Sequence, residues 1–352
     1  MLLVTTWFGA FLLDEGKVVE TRLFTKEATA LADRLMQVED WKTLDEEREL
    51  MARAEEVFVV EPRLERAGGR MTSERPPFLE PADFGFDRAL LHAAMVEVAK
   101  RRMRRAVRPE DHLKQAVAAV DDLQSQENLV LERLREWYGL HFPELARMVD
   151  DETYLDLLVT HGRRDGMPYP NLESVGGELG DAEEREVREL ARLAQGITSR
   201  RAAMEVYVDR AIRDLAPNVT DLTGPMIAAR LVTLAGGVQD LARVPSGTIQ
   251  LLGAERALFR HLRTGSKPPK HGVLFLHPLV HGAAPWQRGA VARALAGKIA
   301  LAARADAYTH RRISAELTVN LARTIDDIRR RKEKRPARRS PHPTRKRRPR
   351  RD

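Results

Sequence analysis

The 352-residue chain contains no cysteine. Disulfides and thiolate metal sites are therefore excluded, and the composition suits a reducing compartment. Nor does any apolar run reach the roughly 18 residues that a membrane-spanning helix needs. The opening MLLVTTWFGAFLL is apolar for only 13 residues before Asp14-Glu15-Gly16, with no basic leader and no small-residue cleavage site. Neither a membrane span nor a secretory signal is expected, and the chain reads as soluble. Glycine-rich phosphate loops and a serine nucleophile elbow are missing too. Gly68-Gly69, beside Arg70, reads as a plain turn. His271, His277 and His281 cluster in HGVLFLHPLVHG, but no carboxylate lies between Glu255 and Asp306 to complete a metal site, and Pro278 and Gly282 argue against a helix there. The paired acids Asp121-Asp122 and Asp150-Asp151 fall on solvated helix or turn positions. Neither a metal, a cofactor nor catalysis by the chain alone is expected.

What the chain has is charge, unevenly distributed. Its formal net charge is +7. Residues 1–240 carry 32 basic and 45 acidic side chains, residues 241–312 carry 12 and 2, and residues 329–352 carry 14 and 2. Such asymmetry points to a nucleic-acid partner for the C-terminal third and to other work for the remainder.

Taken in order, residues 1–13 read as a buried strand, followed by a turn and a second strand through Val18-Val19. Helices are expected over Lys26 to Met36 and Phe84 to Arg105, with another strand at Val57 to Val60. The basic run KRRMRRAVR, ending at Arg108, reads as a solvated helix face; a supplementary RNA contact is the sharper alternative. Next, Leu113, Ala116, Val120, Leu123, Glu127, Val130, Leu134 and Trp137 step by three and four. After an irregular stretch to Gly180, Val187, Leu190, Ala194, Ile197, Arg201, Met204, Val208, Ala211 and Leu215 do the same. Each seam carries one charged intruder. Paired antiparallel, they bring Glu127 opposite Arg201, a pairing suited to fixing register. Thr223-Gly224-Pro225 reads as a cap and first-turn proline for a helix to Leu234, closed by Gly236-Gly237. A helix from Pro285 to Asp306 displays Arg288, Arg293, Lys298 and Arg304. The chain is thus expected to be mainly α. It comprises a small α/β domain over 1–108, a long antiparallel coiled-coil hairpin over 109–216, a compact all-helical domain over 217–328 and a disordered basic tail over 329–352.

The densest stretch is GAERALFRHLRTGSKPPKHGVLF, from Gly253 to Phe275. It reads as a short helix, a loop and a strand-like or extended exit. Arg256, Arg260 and Arg263 share one helix face, with Ala257, Leu258 and Leu262 expected to be buried on the other. Lys267 and Lys270 follow in the loop, and His271 stands beside them. Fixed positive charge concentrated in this way is suited to phosphate. Arg256, Arg260, Lys270, His271, Arg288, Arg293, Lys298 and Arg304 are the candidate RNA contacts, with Gln250 a possible reader of a base edge or a partner side chain.

This stretch resembles the signature of the Nop-domain family, whose archaeal members are core proteins of box C/D small ribonucleoproteins. REWYGLHFPEL (Arg135 to Leu145), APNVTDLTGPMIAARL (Ala216 to Leu231) and VPSGTIQLLGAERALFRHL (Val244 to Leu262) are similar to the same family, in the expected order. Together they cover roughly residues 110–312. The family usually has lysine where Arg256 stands, so charge is kept while a single-point ammonium contact becomes a forked one. The resemblance implies a scaffold that binds a kink-turn RNA held by a small ribosomal-protein-like partner. It implies a homodimer formed through the coiled coil, an N-terminal domain that holds the methyltransferase fibrillarin, and an archaeal cytoplasmic location. A Nop-domain assembly factor without a methylation role, as in splicing, and a stand-alone RNA-modifying enzyme are the rival readings.

Overall fold

The computed structural model describes residues 1–169 and 173–333. Of the disordered tail expected over 329–352, residues 334–352 lie outside the described residues. Two compact units divide at Arg108 and Pro109, which separates the first domain from the hairpin and helical domain together.

In the first unit, β1 (Leu2–Thr5), β2 (Gly9–Asp14) and β3 (Lys17–Leu23) precede α1 (Ala28–Glu39) and α2 (Asp45–Met51). Then come β4 (Phe58–Val59), α3 (Pro62–Glu65), β5 (Arg70–Met71) and α4 (Arg88–Ala106). The sheet order is β3-β2-β1-β4-β5. The single strand expected over residues 1–13 is in fact two. The chain reverses at Thr6, whose N–H and hydroxyl both donate to the Gly9 carbonyl, at 2.9 and 3.0 Å. The apolar run hid that turn because the sheet is covered on both faces. Leu2, Val4, Phe11 and Leu13 join Leu31, Phe86 and Ala94 in one cluster, while Leu3, Ala10, Leu12 and Val59 join Leu50 and Leu64 in another. A sheet buried on both sides shows no polar alternation. Glu15 and Gly16 have φ of 46° and 78°, the paired left-handed geometry of a tight hairpin turn.

The basic run at the end of α4 is spent inside this unit. Arg101 reaches Asp33 at 2.5 Å, Arg102 reaches Glu39 and Arg105 reaches Asp40 at 3.2 Å, all on or just after α1. The solvated-face reading therefore fits better than an RNA contact. At the core, the Glu47 and Arg63 side chains form a buried ion pair (0% and 4% exposed). Glu47 also accepts from the Leu44 N–H and the Thr5 hydroxyl, so the pair is hydrogen-bonded all round.

The second unit begins with α5 (Pro109–Tyr138), α6 (Leu145–Met148), α7 (Asp151–His161) and α8 (Asp181–Leu215). Helix α7, which packs against the hairpin, lies in the stretch expected to be irregular. Asp150 caps it by accepting from the Thr153 N–H at 2.9 Å, and Tyr154, Leu155, Leu157 and Leu158 bury its inner face. Its burial explains a second correction. Leu131, Tyr138 and Ala191 are buried, whereas Val130, Trp137 and Leu190 are only half-buried. A 3.5-residue repeat drifts around an ideal helix, and α7 adds a surface beyond the seam.

The hairpin has two apolar ends. At one, Leu131, Leu134, Tyr138, Tyr154, Leu158 and Ala194 share a cluster. At the other, Leu113, Val120, Val208 and Ile212 belong to the same cluster as Leu231, Val232, Leu295 and Ile299 of the helical domain. A common core is why hairpin and helical domain form one unit. Between the ends, Arg201 donates to Glu127 at 2.7 Å and the Thr198 hydroxyl donates to it at 2.9 Å.

Helices α9 (Pro217–Thr223), α10 (Pro225–Ala235), α11 (Val238–Arg243), α12 (Ser246–Ile249), α13 (Glu255–Thr264), α14 (Pro278–His281), α15 (Arg288–Arg304) and α16 (Ser314–Arg331) complete the chain. Thr223 is not the cap of α10 but the last residue of α9, its hydroxyl turned back to the Val219 carbonyl at 2.9 Å. Gly224, at φ 81°, makes the link. Helix α15 runs into a π-turn over Ala305–Thr309, rather than ending in regular helix at Asp306. That turn aims the buried Asp306 at the start of α9, where it accepts from the Asn218 and Val219 N–H groups at 3.1 and 3.0 Å. In return, the Asn218 side-chain oxygen accepts from Ile313 and Ser314 N–H at 2.8 and 3.0 Å, satisfying the start of α16. Two helix starts are thus capped by one buried pair. Finally, Arg329 to Arg331, expected to be disordered, continue α16. Asp326 and Asp327 pair with Arg329 and Arg330 three residues on, and cations are favoured at a helix C-terminus.

Candidate nucleic-acid interface

Helix α13 carries Arg256, Arg260 and Arg263, all exposed. It buries none of its residues. The apolar face expected to be packed is largely open: Phe259 and Leu262 are 67% and 71% exposed, Ala257 is exposed, and only Leu258 is half-buried. A helix held this lightly has no internal use for its cations. Among the described residues, Arg256, Arg260, Arg263, Lys267, Lys270 and Lys298 enter no side-chain hydrogen bond or ion pair. Elsewhere many arginines are tied to acids, as in Arg135–Asp151, Arg188–Glu184 and Arg230–Asp121. The difference follows from the sequence, which supplies no carboxylate between Glu255 and Asp306.

The loop after α13 returns to the domain at Gly272. Its N–H donates to the Gln250 carbonyl at 2.9 Å, and Val273 N–H donates to the Leu252 carbonyl at 2.8 Å. A Cβ on Gly272 would collide with the Leu252 carbonyl, so only glycine permits the approach. The expected extended exit is instead a 3-10 turn over Val273–Leu276 leading into α14, because Pro278 starts a new helix at once.

Gln250 is the hub of this return. Only 6% exposed, it donates from Nε2 to the Lys270 carbonyl at 2.6 Å and the Gly289 carbonyl at 3.4 Å, and accepts from Arg293 at 3.4 Å. It cannot also read a base edge. Its amide is consumed in fixing Lys270 and Arg293 beside the start of α15. The expectation of a base-edge or partner contact arose because burial at position 250 leaves no mark on charge spacing.

Arg288 is likewise committed. It donates to the Ala283 and His281 carbonyls, each at 3.1 Å, and its guanidinium sits 5.3 Å from the Phe275 ring. The His271 ring stacks on the same phenyl at 4.7 Å between centroids. Burial, then Arg288 and Lys270, hold His271 below its ordinary imidazole value, so it offers a hydrogen bond and not a charge. Phe275 is therefore a site residue that the sequence reading passed over; its one signal was an aromatic set between histidines. His277 is structural: its ring accepts from Leu279 N–H at 3.2 Å and reaches the Leu222 carbonyl at 3.1 Å, and burial lowers its pKa.

Lys270, His271, Gln250, Arg288 and Arg293 thus come together around the start of α15, adjoined through the loop by Arg256 and Arg260. Lys298 stands farther along α15. Arg304 does not join them. Sixteen residues after Arg288, or about 24 Å along the helix, it donates to the Ala242 carbonyl at 3.3 Å.

A family model described as Nop, snoRNA binding domain, fibrillarin, matches residues 119–328. An uncharacterized NOP5 family protein of Methanocaldococcus jannaschii is 39% identical over 262 residues, spanning 69% of this chain and 63% of that one. Nucleolar protein 58 of Neurospora crassa is 36% identical over 210 residues, spanning 54% of this chain and 35% of its own. This chain therefore covers less than two thirds of the length of either relative. A solved fibrillarin/Nop5p complex aligns over 93% of this chain at 22% identity with a TM-score of 0.39, too low for its arrangement to be carried over. The matched span contains α13, the returning loop and α15, and on that match the chain belongs to the Nop family.

Proposed function

We propose that this chain is the non-catalytic scaffold of a box C/D RNA-guided 2′-O-methylation particle. In this reading, α13, its loop and the start of α15 grip a kink-turn RNA already held by a small ribosomal-protein-like partner. The hairpin joins two copies, and the first unit holds fibrillarin. The chain's contribution to rate is positional, raising the effective concentration of the methyltransferase near one ribose hydroxyl. The observation that carries the reading is the set of unpaired cations from Arg256 to Lys270 within a snoRNA-binding family domain. Unpaired cations on a lightly packed helix neutralise phosphates at no internal cost.

Reconstitution with kink-turn RNA, the kink-turn binder and fibrillarin tests it. The Arg256→Ala/Arg260→Ala chain is expected to lose RNA assembly. A chain lacking residues 1–108 is expected to keep RNA assembly and lose only methyltransferase recruitment. Assembly on RNA with no recruitment of fibrillarin by the full chain would instead favour a Nop-domain assembly factor without a methylation role.

A further inference from the structure

One phenyl ring gathers three basic side chains. The His271 imidazole stacks on Phe275 at 4.7 Å between centroids, with the two planes 17° apart. The His281 ring meets the same phenyl edge-on at 5.1 Å, and the Arg288 guanidinium lies 5.3 Å from its centre. Ring stacking and the pull of the phenyl quadrupole on a cation hold such a group together. Backbone bonds fix it on both sides. Gly272 N–H donates to the Gln250 carbonyl, and Arg288 donates to the Ala283 and His281 carbonyls. A Cβ on Gly289 would meet the Lys270 side chain at 3.5 Å, so the Lys270 stem passes the start of α15 next to Arg288.

This group has no counter-charge of its own. Lys270 comes from the loop, His281 from α14 and Arg288 from α15, and among the described residues no carboxylate acts on the His271 ring. Glu255 is turned to the Gly253 N–H, and Asp306 is buried against the start of α9. Partial burial, and then Arg288 and Lys270, disfavour the imidazolium; only a hydrogen bond to its own backbone favours it. In the free chain the half-buried ring is therefore neutral at neutral pH. An anion set against Lys270 and Arg288 reverses that balance. It cancels their repulsion and supplies the opposite charge that an imidazolium needs.

We propose that the His271–Phe275–Arg288 stack makes RNA binding proton-linked: His271 takes up one proton from solvent as a phosphate settles against Lys270 and Arg288, and the grip tightens as pH falls. This rests on the RNA-scaffold reading above. Arg256 and Arg260 can give no such response, because arginine stays protonated at every working pH. Binding and protonation are reciprocal, so a complex that holds one more proton than its free parts gains affinity on acidification. The gain begins as pH falls through the ring's value in the complex and levels off once the free ring is protonated too. Phe275 keeps imidazole and guanidinium on one surface, where a single phosphate reaches both.

The linkage is tested by the affinity for kink-turn RNA saturated with its small binder, measured between about pH 7.5 and 5.5 at one salt concentration. The chains compared are the full chain, His271→Gln, His271→Arg and His281→Gln. The full chain is expected to bind roughly three- to tenfold more tightly at the acidic end, within the limit of about tenfold per pH unit that one proton allows. His271→Gln should lose most of that gain. His271→Arg, a fixed cation that still stacks on a ring, should bind at least as tightly as the full chain at about pH 7.5 and show a flattened profile. Titration of the RNA, the small binder or His261 is common to all four chains and cancels in the comparison. Calorimetry in buffers of different ionisation enthalpy should read net proton uptake near pH 6.5 for the full chain, and less for His271→Gln, at about the ordinary imidazole value. Equal pH profiles in the full chain and His271→Gln overturn the proposal. Flattening by His281→Gln in place of His271→Gln would assign the proton to the other ring and overturn it too. So would weakening by both His271 variants at every pH with the profile kept, which would make the ring a fold contact. Arg256→Ala/Arg260→Ala tests the reading beneath, and should weaken binding across the range with the profile unchanged. If it fails to weaken binding, the α13 face is wrong, whatever His271 does.

Discussion

At the scale of single residues, the candidate interface depends on buried side chains that hold its cations in place. Gln250 fixes Lys270 and Arg293 by three hydrogen bonds from a buried position. Gln250→Leu strands two carbonyls and is expected to cost about 1–3 kcal/mol in thermal or denaturant unfolding. RNA affinity should fall several-fold while the salt slope stays put, since no cation is lost. His277 gives a pH dependence. Burial lowers its folded-state pKa below the ordinary 6.5, so the unfolded chain binds more protons as pH falls through that value. Its contribution to stability is present above about pH 6.5 and is lost on acidification toward the folded value. His271 shifts the same way. Melting temperatures between neutral and mildly acidic pH should therefore decline, and His277→Gln, which keeps a donor and an acceptor, should flatten part of that decline. What was legible at this scale was charge. Arg256, Arg260 and Lys270 are exposed cations because the one acid near them in the chain, Glu255, is turned back to the Gly253 N–H. The partners of Gln250, Arg288 and Arg304 were not legible because they are largely backbone carbonyls, which every sequence contains and no sequence pattern marks.

At the scale of elements, the hairpin carries the clearest test. Glu127 and Arg201 meet between two apolar clusters, with Thr198 as a third partner. Removing Arg201 leaves the Glu127 carboxylate with only the neutral donors Thr198 and Gln124, whereas removing Glu127 leaves Arg201 paired with Glu205 at 2.6 Å. A double-mutant cycle with Glu127→Gln and Arg201→Gln is expected to give a coupling of about 1–2 kcal/mol, reduced from that of a fully buried pair by partial exposure of Arg201. A coupling near zero would remove the pair's claim on register. The antiparallel seam was readable because its stepping persists over α5 and α8, 30 and 35 residues long. Helix α7 was not. Its 11 residues pack on the hairpin by one face, and Tyr154, Leu155, Leu157 and Leu158, though spaced by three and four, span little more than one turn and do not repeat the pattern. Helix α13 failed in the other direction: amphipathic by spacing, it leaves its apolar side exposed.

At the scale of the whole molecule, charge is segregated with function. The first unit and hairpin pair most of their cations with acids, whereas Arg256, Arg260, Arg263, Lys267, Lys270 and Lys298 have no side-chain partner among the described residues. In the scaffold reading proposed above, the acidic body does not compete for phosphate and the basic domain grips it. Because the first unit has its own two-sided sheet core, residues 109–352 without it are expected to fold and bind RNA within about twofold of the full chain's affinity, while fibrillarin recruitment is lost. A truncated chain that unfolds, shown by loss of a cooperative melting transition, would contradict that independence.

The most direct test of the account is the salt dependence of binding to kink-turn RNA carrying its small binder, compared between the full chain and Arg256→Ala/Arg260→Ala. Both residues are exposed and unpaired, so the variant should fold with an unchanged melting temperature. The account requires affinity to fall at least tenfold near physiological salt and the log–log slope to become shallower by about 2, one phosphate per arginine at about 0.9 each. Equal affinity and an equal slope in the two chains would contradict it.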